Sequence, residues 1–487
     1  MIRKYMQNIV LALSIFVAAV LVYQLWFNSY FMPAGSDYLR SHILSPLARL
    51  FKQQVETDFS EDLHRLFRPT QIVLQTTGQR VVFSDGSPHY REAREMAGEV
   101  VSGCLSGDLS LKSRESVDEE TYYNALKGKS IYVDYGKNCD FRLFSYGLSG
   151  REKNPLTEDL SVIRGYIINL HDGIMNDLSL YIRDEKSGNT YRYMLEANKT
   201  ELSERVDKMM ASQNDGHTSY SFELNFHKMQ ETAVSKVLFE PRVLIDLVPA
   251  QRPKLERVRD KQMDEMVQGA GSVDPILNSF SINERTMRRY TDLNNAHVFV
   301  ENNATLTIYP EGLLVYQAVP GSRGLDLLED DNRTDYDIYK ATTHAVQFVS
   351  GLCNQLSPEF FNHLQITSHL VDDASRPGYY RICFDYCVDG VSVLKKTEAG
   401  FESAIVVEIE NGYLQSYRQY MDAYEELVET QQLSPMLSAA DSLVDSMYEE
   451  GSPLFIQAMT PIYIEEADGR IPLAWKASVN GIEAIVE

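Results

Sequence analysis

The chain carries none of the short signatures that usually betray a reactive centre. H-E-x-x-H, C-x-x-C and G-x-S-x-G are absent from its 487 residues, which removes the common zincin, dithiol and nucleophile-elbow routes to catalysis. Gly128-Lys129-Ser130 ends like a phosphate loop, but Tyr123 stands where the earlier glycine belongs. Without that glycine the backbone cannot cradle a phosphate, and the tripeptide reads as a turn before a strand. Ser392-Val393-Leu394-Lys395 matches S-x-x-K but lies in a run that reads as a strand, which sends Ser392 and Lys395 to opposite faces; neither S-D-N nor K-T-G accompanies it. The acidic run Glu329-Asp330-Asp331-Asn332-Arg333-Thr334-Asp335 lacks the glycine and spacing of a calcium loop and reads as a solvated loop. The ten histidines show no ligand spacing, and His344 falls on an apolar helical face as a structural residue. No catalytic, cofactor-binding or metal-ligating residue is expected, and no cofactor.

Basic residues and cysteines are also scarce. Lys and Arg number 46 against 69 Asp and Glu, for a net charge of −23. Such a chain is repelled by nucleic acid and by anionic lipid or wall polymers, which points to proteins, or cations shared with the wall, as partners; much of the acidity serves solubility. The five cysteines, Cys104, Cys139, Cys353, Cys383 and Cys387, are an odd number, so at least one stays free or pairs between chains. Cys383 and Cys387 lie in one predicted strand at a separation of about 13 Å, too far for a mutual disulfide.

What is present begins with Ile9–Phe27, IVLALSIFVAAVLVYQLWF, an uncharged run long enough as a helix to span a bilayer core of roughly 30 Å. Arg3 and Lys4 precede it and no Lys or Arg follows until Arg40, so the N-terminus is expected in the cytosol and the bulk outside. Tyr23, Trp26 and Tyr30 cluster at the outer boundary, where amphipathic rings settle. The competing reading is a cleaved signal peptide, for which Met32-Pro33-Ala34-Gly35-Ser36 is a poor cleavage site. The expectation is an uncleaved single-pass anchor.

Beyond the anchor the composition is globular, 44% hydrophobic and 24% charged. Ser36–Pro69 reads as short stalk helices, with Ser60 as one cap. Thr70–Ser84 reads as a hairpin about Thr77-Gly78, Pro88–Leu105 as a helix, and Ser116-Val117-Asp118-Glu119 as a capping box opening a helix through Leu126. Ser130–Tyr135 and Phe141–Tyr146 read as strands, as do Leu160–Leu170, Leu178–Asp184, Thr190–Leu195, Ser219–Phe226 and Val243–Val248, with a helix over Thr200–Gln213. The charge-rich Gln251–Gly271 is the linker candidate, with room for a helix over Lys254–Gln268. Strands follow at His297–Glu301, Ala304–Tyr309 and Leu313–Val319, then a helix over Tyr336–Asn354 and strands at 363–371, 378–388 and 391–396. The order then restarts: Ser403–Ile409 and Tyr413–Tyr420 about Asn411-Gly412, a helix over Ser438–Glu450, and strands at 456–465 and 471–479. Setting Gly312 against Gly412 suggests a duplicated hairpin–helix–hairpin unit. The predicted class is α+β, divided as cytoplasmic 1–8, anchor 9–27, stalk and first α+β domain 28–155, a second α+β region and linker 156–271, a central module 272–400 and a C-terminal module 401–487. Whether 156 onward is a new unit or continues the first is open at this level.

Tyrosines crowd the C-terminal half at Tyr379, Tyr380, Tyr386, Tyr413, Tyr417, Tyr420 and Tyr424, from strand propensity or as an interface.

Several stretches resemble the YycH family of membrane-anchored accessory proteins to an essential sensor kinase: Leu21-Val22-Tyr23-Gln24-Leu25-Trp26 closing the anchor, Arg68-Pro69-Thr70-Gln71-Ile72-Val73-Leu74, and Phe280…Arg288-Arg289-Tyr290…Leu306-Thr307-Ile308…Gly312-Leu313-Leu314-Val315-Tyr316. Ile471-Pro472-Leu473-Ala474-Trp475 resembles the closing strand of the related YycI and PepSY-type modules. The resemblance implies a non-enzymatic regulator that contacts a YycI-like partner and a WalK/YycG-like histidine kinase outside the membrane and through the anchor helix. The small residues Ala12, Ser14, Ala18 and Ala19 are the candidate helix contacts. The alternatives are a surface PepSY-type binder or inhibitor of a secreted protease, and a wall-active hydrolase, for which no acid pair or metal set is found.

Overall fold

The computed structural model describes residues 59–76, 78–171, 177–211, 218–226, 236–246, 251–301, 303–328, 336–369, 376–449 and 452–486. The predicted anchor, with Arg3, Lys4, Ala12, Ser14, Ala18, Ala19, Tyr23, Trp26 and Tyr30, lies outside the described residues, as does the acidic run 329–335. No helix among the described residues is long and apolar enough to cross a membrane.

Two antiparallel-rich sheets carry the region Phe59–Glu487. The first has seven strands in the order Gln79–Phe83, Gln71–Thr76, Ser130–Asp140, Val162–Asn169, Asp177–Arg183, Thr190–Glu196, Leu111–Val117. Period-two alternation sorts its side chains onto two faces. Ile72, Leu74, Ile131, Val133, Ile168 and Leu180 enter the main core under helices Ser60–Leu66, Tyr90–Ser106 and Phe141–Ser149. Val73, Tyr132, Ile167 and Tyr181 face the other way and pack with Tyr122 and Leu126 of helix Glu119–Lys127. The pairing of Val162–Asn169 with Ser130–Asp140 carries this sheet across residue 155.

The second sheet has fifteen strands. Its path runs Arg288–Thr291, His297–Glu301, Ala304–Ile308, Leu313–Ala318, Tyr413–Tyr420, Ile405–Glu410, Tyr379–Val388, Val391–Thr397, Leu454–Glu465, Leu473–Val479, Ile482–Val486. The hairpins turning at Gly312 and Gly412, both at positive φ, lie side by side through Leu313–Ala318 against Tyr413–Tyr420. Each is followed by a helix, Ile338–Leu356 or Met436–Met447, and then an antiparallel strand pair. The order repeats as expected, but both copies build one continuous sheet. Buried residues from both sheets belong to one apolar cluster.

Several expectations need correction. Phe141–Tyr146 is helical, within Phe141–Ser149, because the Asp140 carboxylate accepts from Arg142 N and Leu143 N and caps it. Asp118, not Ser116, caps the next predicted helix by accepting from Thr121 N, and Phe59 precedes the helix for which Ser60 was the expected cap. The linker candidate is structured: Gln251–Val258 pairs with Ala423–Gln432 in a two-stranded ribbon, followed by helix Lys261–Val267. Ser219–Phe226 is a strand only over Thr218–Tyr220 and then turns. Arg288–Thr291, Ala423–Gln432 and Ile482–Val486 are strands that the apolar pattern does not announce.

The five cysteines are buried thiols, and none is joined in a disulfide. Burial raises the thiol pKa of Cys104 to about 11 and of Cys353 to about 12. Tyr380, Tyr386, Tyr417 and Tyr420 are interior residues, so strand packing accounts for these tyrosines.

Candidate binding cleft at the seam of the two sheets

The sheets meet along a seam built by residues far apart in sequence. Arg68 forms an ion pair with Asp85 at 2.9 Å and donates from Nη2 to Leu364 O at 3.3 Å, while Gln365 Nε2 donates back to Arg68 O at 2.7 Å. Arg164 Nη1 donates to Gln457 O at 3.0 Å. Two turns interlock: a Cβ on Gly86 would lie 2.3 Å from Asp389, and one on Gly390 would lie 2.6 Å from Asp85 Cβ. Both glycines have positive φ.

Within this seam opens a cleft of about 390 Å³, inside the size range of small-ligand sites. Thr70, Gln71, Asp134, Lys137 and Arg164 line one side; Asp385, Ser392, Met459 and Trp475 line the other. A bulge supplies the first wall. Asp134 pairs with Gly165 and Cys139 with Ile163, so residues 135–138 stand opposite the single Arg164. Such an insertion bends the strand and re-aims its side chains. Gly136, at φ +67, makes the turn.

Asp134 and Arg164 form the buried electrostatic anchor of that wall. Arg164 Nε and Nη2 donate to the two Asp134 oxygens at 3.0 and 3.1 Å, and Gly136 N donates at 2.7 Å. Burial pushes the Asp134 carboxyl upward, but the Arg164 charge and these hydrogen bonds overrule it and hold it below the ordinary value.

Lys137 and Asp385 are not satisfied in this way. The Lys137 ammonium nitrogen and Asp385 Oδ1 are buried without a hydrogen-bond partner, as is Arg68 Nε. Asp385 is only 2% exposed. Burial lowers the Lys137 pKa, partly opposed by Cys139, Cys387 and Asp385. Cys387 Sγ lies 3.4 Å from Gln365 Oε1 and 3.7 Å from Ser392 Oγ, and burial raises its thiol to about 12. A thiol held protonated is no nucleophile.

Of the short sequence motifs among the described residues, only Ser392 reaches the cleft. Ser392 lines the cleft, whereas Lys395 joins a separate buried network, 3.3 Å from both Asp422 and Glu465. That network is closed by Arg259 to Asp422 at 2.6 Å and Tyr424 OH to Glu465 at 2.6 Å. Lys129 Nζ binds Asp207 and Ser203, each at 2.6 Å. His344 stacks on Tyr336, and burial lowers its pKa. No group of three or more potential metal ligands occurs among the described residues.

Two stretches singled out in the sequence converge on the cleft: Thr70-Gln71 from one sheet and Trp475 from the other, whose Nε1 donates to Ser434 O at 2.9 Å. The Phe280…Tyr316 stretch instead builds core, with Phe280 stacked on Tyr316 at 4.9 Å and edge-on to Tyr417 at 5.4 Å. Sequence reasoning missed Lys137, Asp385 and Arg164. Gly136-Lys137-Asn138 interrupting an apolar strand was the available sign of a bulge.

The fold defines a two-sheet α+β class with a polar cleft at the seam. No family profile matches the chain, and no curated protein matches it. Among solved structures it is similar to YycH from Bacillus subtilis, with a TM-score of 0.55 and 11% identity over 87% of this chain and 97% of that one. The fold is therefore YycH-like.

Proposed function

We propose that the chain is a membrane-anchored, non-enzymatic regulator of a two-component sensor histidine kinase of the YycG (WalK) type that controls cell-wall metabolism. The observation that carries this reading is the likeness to nearly the whole of YycH. Residues 1–8 lie in the cytosol, 9–27 cross the membrane, and the two-sheet body stands outside beside the kinase sensor domain and a YycI-like partner. A body that binds one kinase state more tightly shifts the kinase population toward it by that difference in affinity. Ala12, Ser14, Ala18 and Ala19 let the anchor approach the kinase helices closely.

Cross-linking in intact cells followed by mass spectrometry tests the reading. It should recover the kinase and the YycI-like protein; recovery of a secreted protease instead would favour an envelope inhibitor. Replacing Ala18 and Ala19 with Leu should change kinase output by roughly fivefold or more, the scale of typical coupling energies, with export unaltered. Unchanged output removes the helix contact from the proposal.

A further inference from the structure

The seam cleft holds an unusual set of unmet polar demands. One cation, Lys137 through its ammonium, and one carboxylate, Asp385 through Oδ1, are buried with those atoms unpartnered. The Lys137 ammonium also lies 5.6 Å from the Phe67 ring. Buried charge without hydrogen bonds is costly, and the contrast with the fully bonded Asp134–Arg164 pair beside it is sharp. Lys137 and Asp385 both line the cleft, and the bulge at residues 135–138 brings Lys137 there.

The cleft therefore offers hydrogen-bond donors on one cation and an acceptor on one anion. A simple anion would satisfy Lys137 and be repelled by Asp385, and a simple cation would do the reverse. A group with a carboxylate and an N–H donor on the adjacent carbon answers both. The outer walls, Met459, Pro461 and Trp475 with Gln71 and Thr460, suit a small side chain or a short stretch of backbone.

We propose that this cleft binds the α-carboxylate and α-nitrogen of an amino acid, either free or as the C-terminal residue of a peptide. The carboxylate accepts from Lys137, and the nitrogen donates to Asp385. The proposal is independent of the kinase reading.

Titration calorimetry and thermal melting on the full-length protein in detergent test it with three probes: alanine, N-acetylalanine and alaninamide. At least one carboxylate probe should bind and raise the Tm. Alaninamide, which lacks the carboxylate, should bind about tenfold more weakly or less, as expected for loss of a charge-assisted hydrogen bond. Preference for alanine identifies a free amino acid; preference for N-acetylalanine identifies a peptide end. Lys137→Met and Asp385→Asn should each weaken the preferred probe about tenfold or more. If neither carboxylate probe binds the wild-type chain, if alaninamide binds equally well, or if variants with wild-type circular dichroism bind unchanged, the proposal falls. The wild-type titration decides the matter even where a variant fails to fold.

Discussion

Asp134 is 1% exposed and satisfies Arg164 through both carboxylate oxygens. Asp134→Asn would leave a buried guanidinium without its countercharge, and a loss of about 3–5 kcal/mol in urea-induced unfolding is expected. Asp184 works differently. Its carboxylate accepts from Ser161 N, Val162 N and Ser187 N. Burial works against ionisation there, yet these bonds, with that of the Ser187 side chain, hold the group at about 2. A depressed folded-state pKa contributes stability above the ordinary carboxylate value of about 3.9 that is lost as pH falls toward the folded value. Asp184→Asn should therefore unfold with less acid sensitivity between pH ~4 and ~2 than wild type in a denaturant series. Neither role was legible in the sequence, because the partners of a carboxylate are set by sheet register and turn geometry rather than by its neighbours in the chain.

At the scale of elements, strong periodicity was readable and weak periodicity was not. The stripe Ala93, Met96, Ala97, Val100, Val101, Cys104 marks a helix by its spacing alone. The two Gly-centred hairpins are equally plain. The ribbon strand Ala423–Gln432 is mostly exposed and charged, so no apolar alternation announces it. Phe141–Tyr146 has an apolar content that suits strand or helix, and a cap one residue earlier decides it. A direct consequence concerns the interlocked turns. Gly390→Ala places a Cβ against Asp85 at positive φ and should lower stability by about 1–3 kcal/mol, whereas the same change at Gly188, with positive φ but open space, should cost about 1 kcal/mol. Parallel thermal melts separate the steric part from the backbone part.

For the whole molecule, the class and most of the strand order along the chain were accessible, but the cleft was not. Lys137 and Asp385, which both line it, come from two distant stretches, and only the docking of one sheet on the other brings them to one cleft. Two partly buried histidines set a pH response. His64 is lowered to about 4, first by burial and then by Arg94, and burial lowers His344 as well. Both bind fewer protons folded than unfolded as pH drops through about 6.5, so stability should decline on acidification from neutral pH toward 4. Denaturant midpoints across that interval check the sign; a rise on acidification would contradict it.

The interior thiols turn this into something that can be watched in a living culture. All five are buried and, at Cys104, Cys139, Cys353 and Cys387, held far above the pH at which alkylation is quick. A maleimide dye should leave intact copies dark and tag those that have opened, so fluorescence per molecule becomes a gauge of how often this body comes apart at its post.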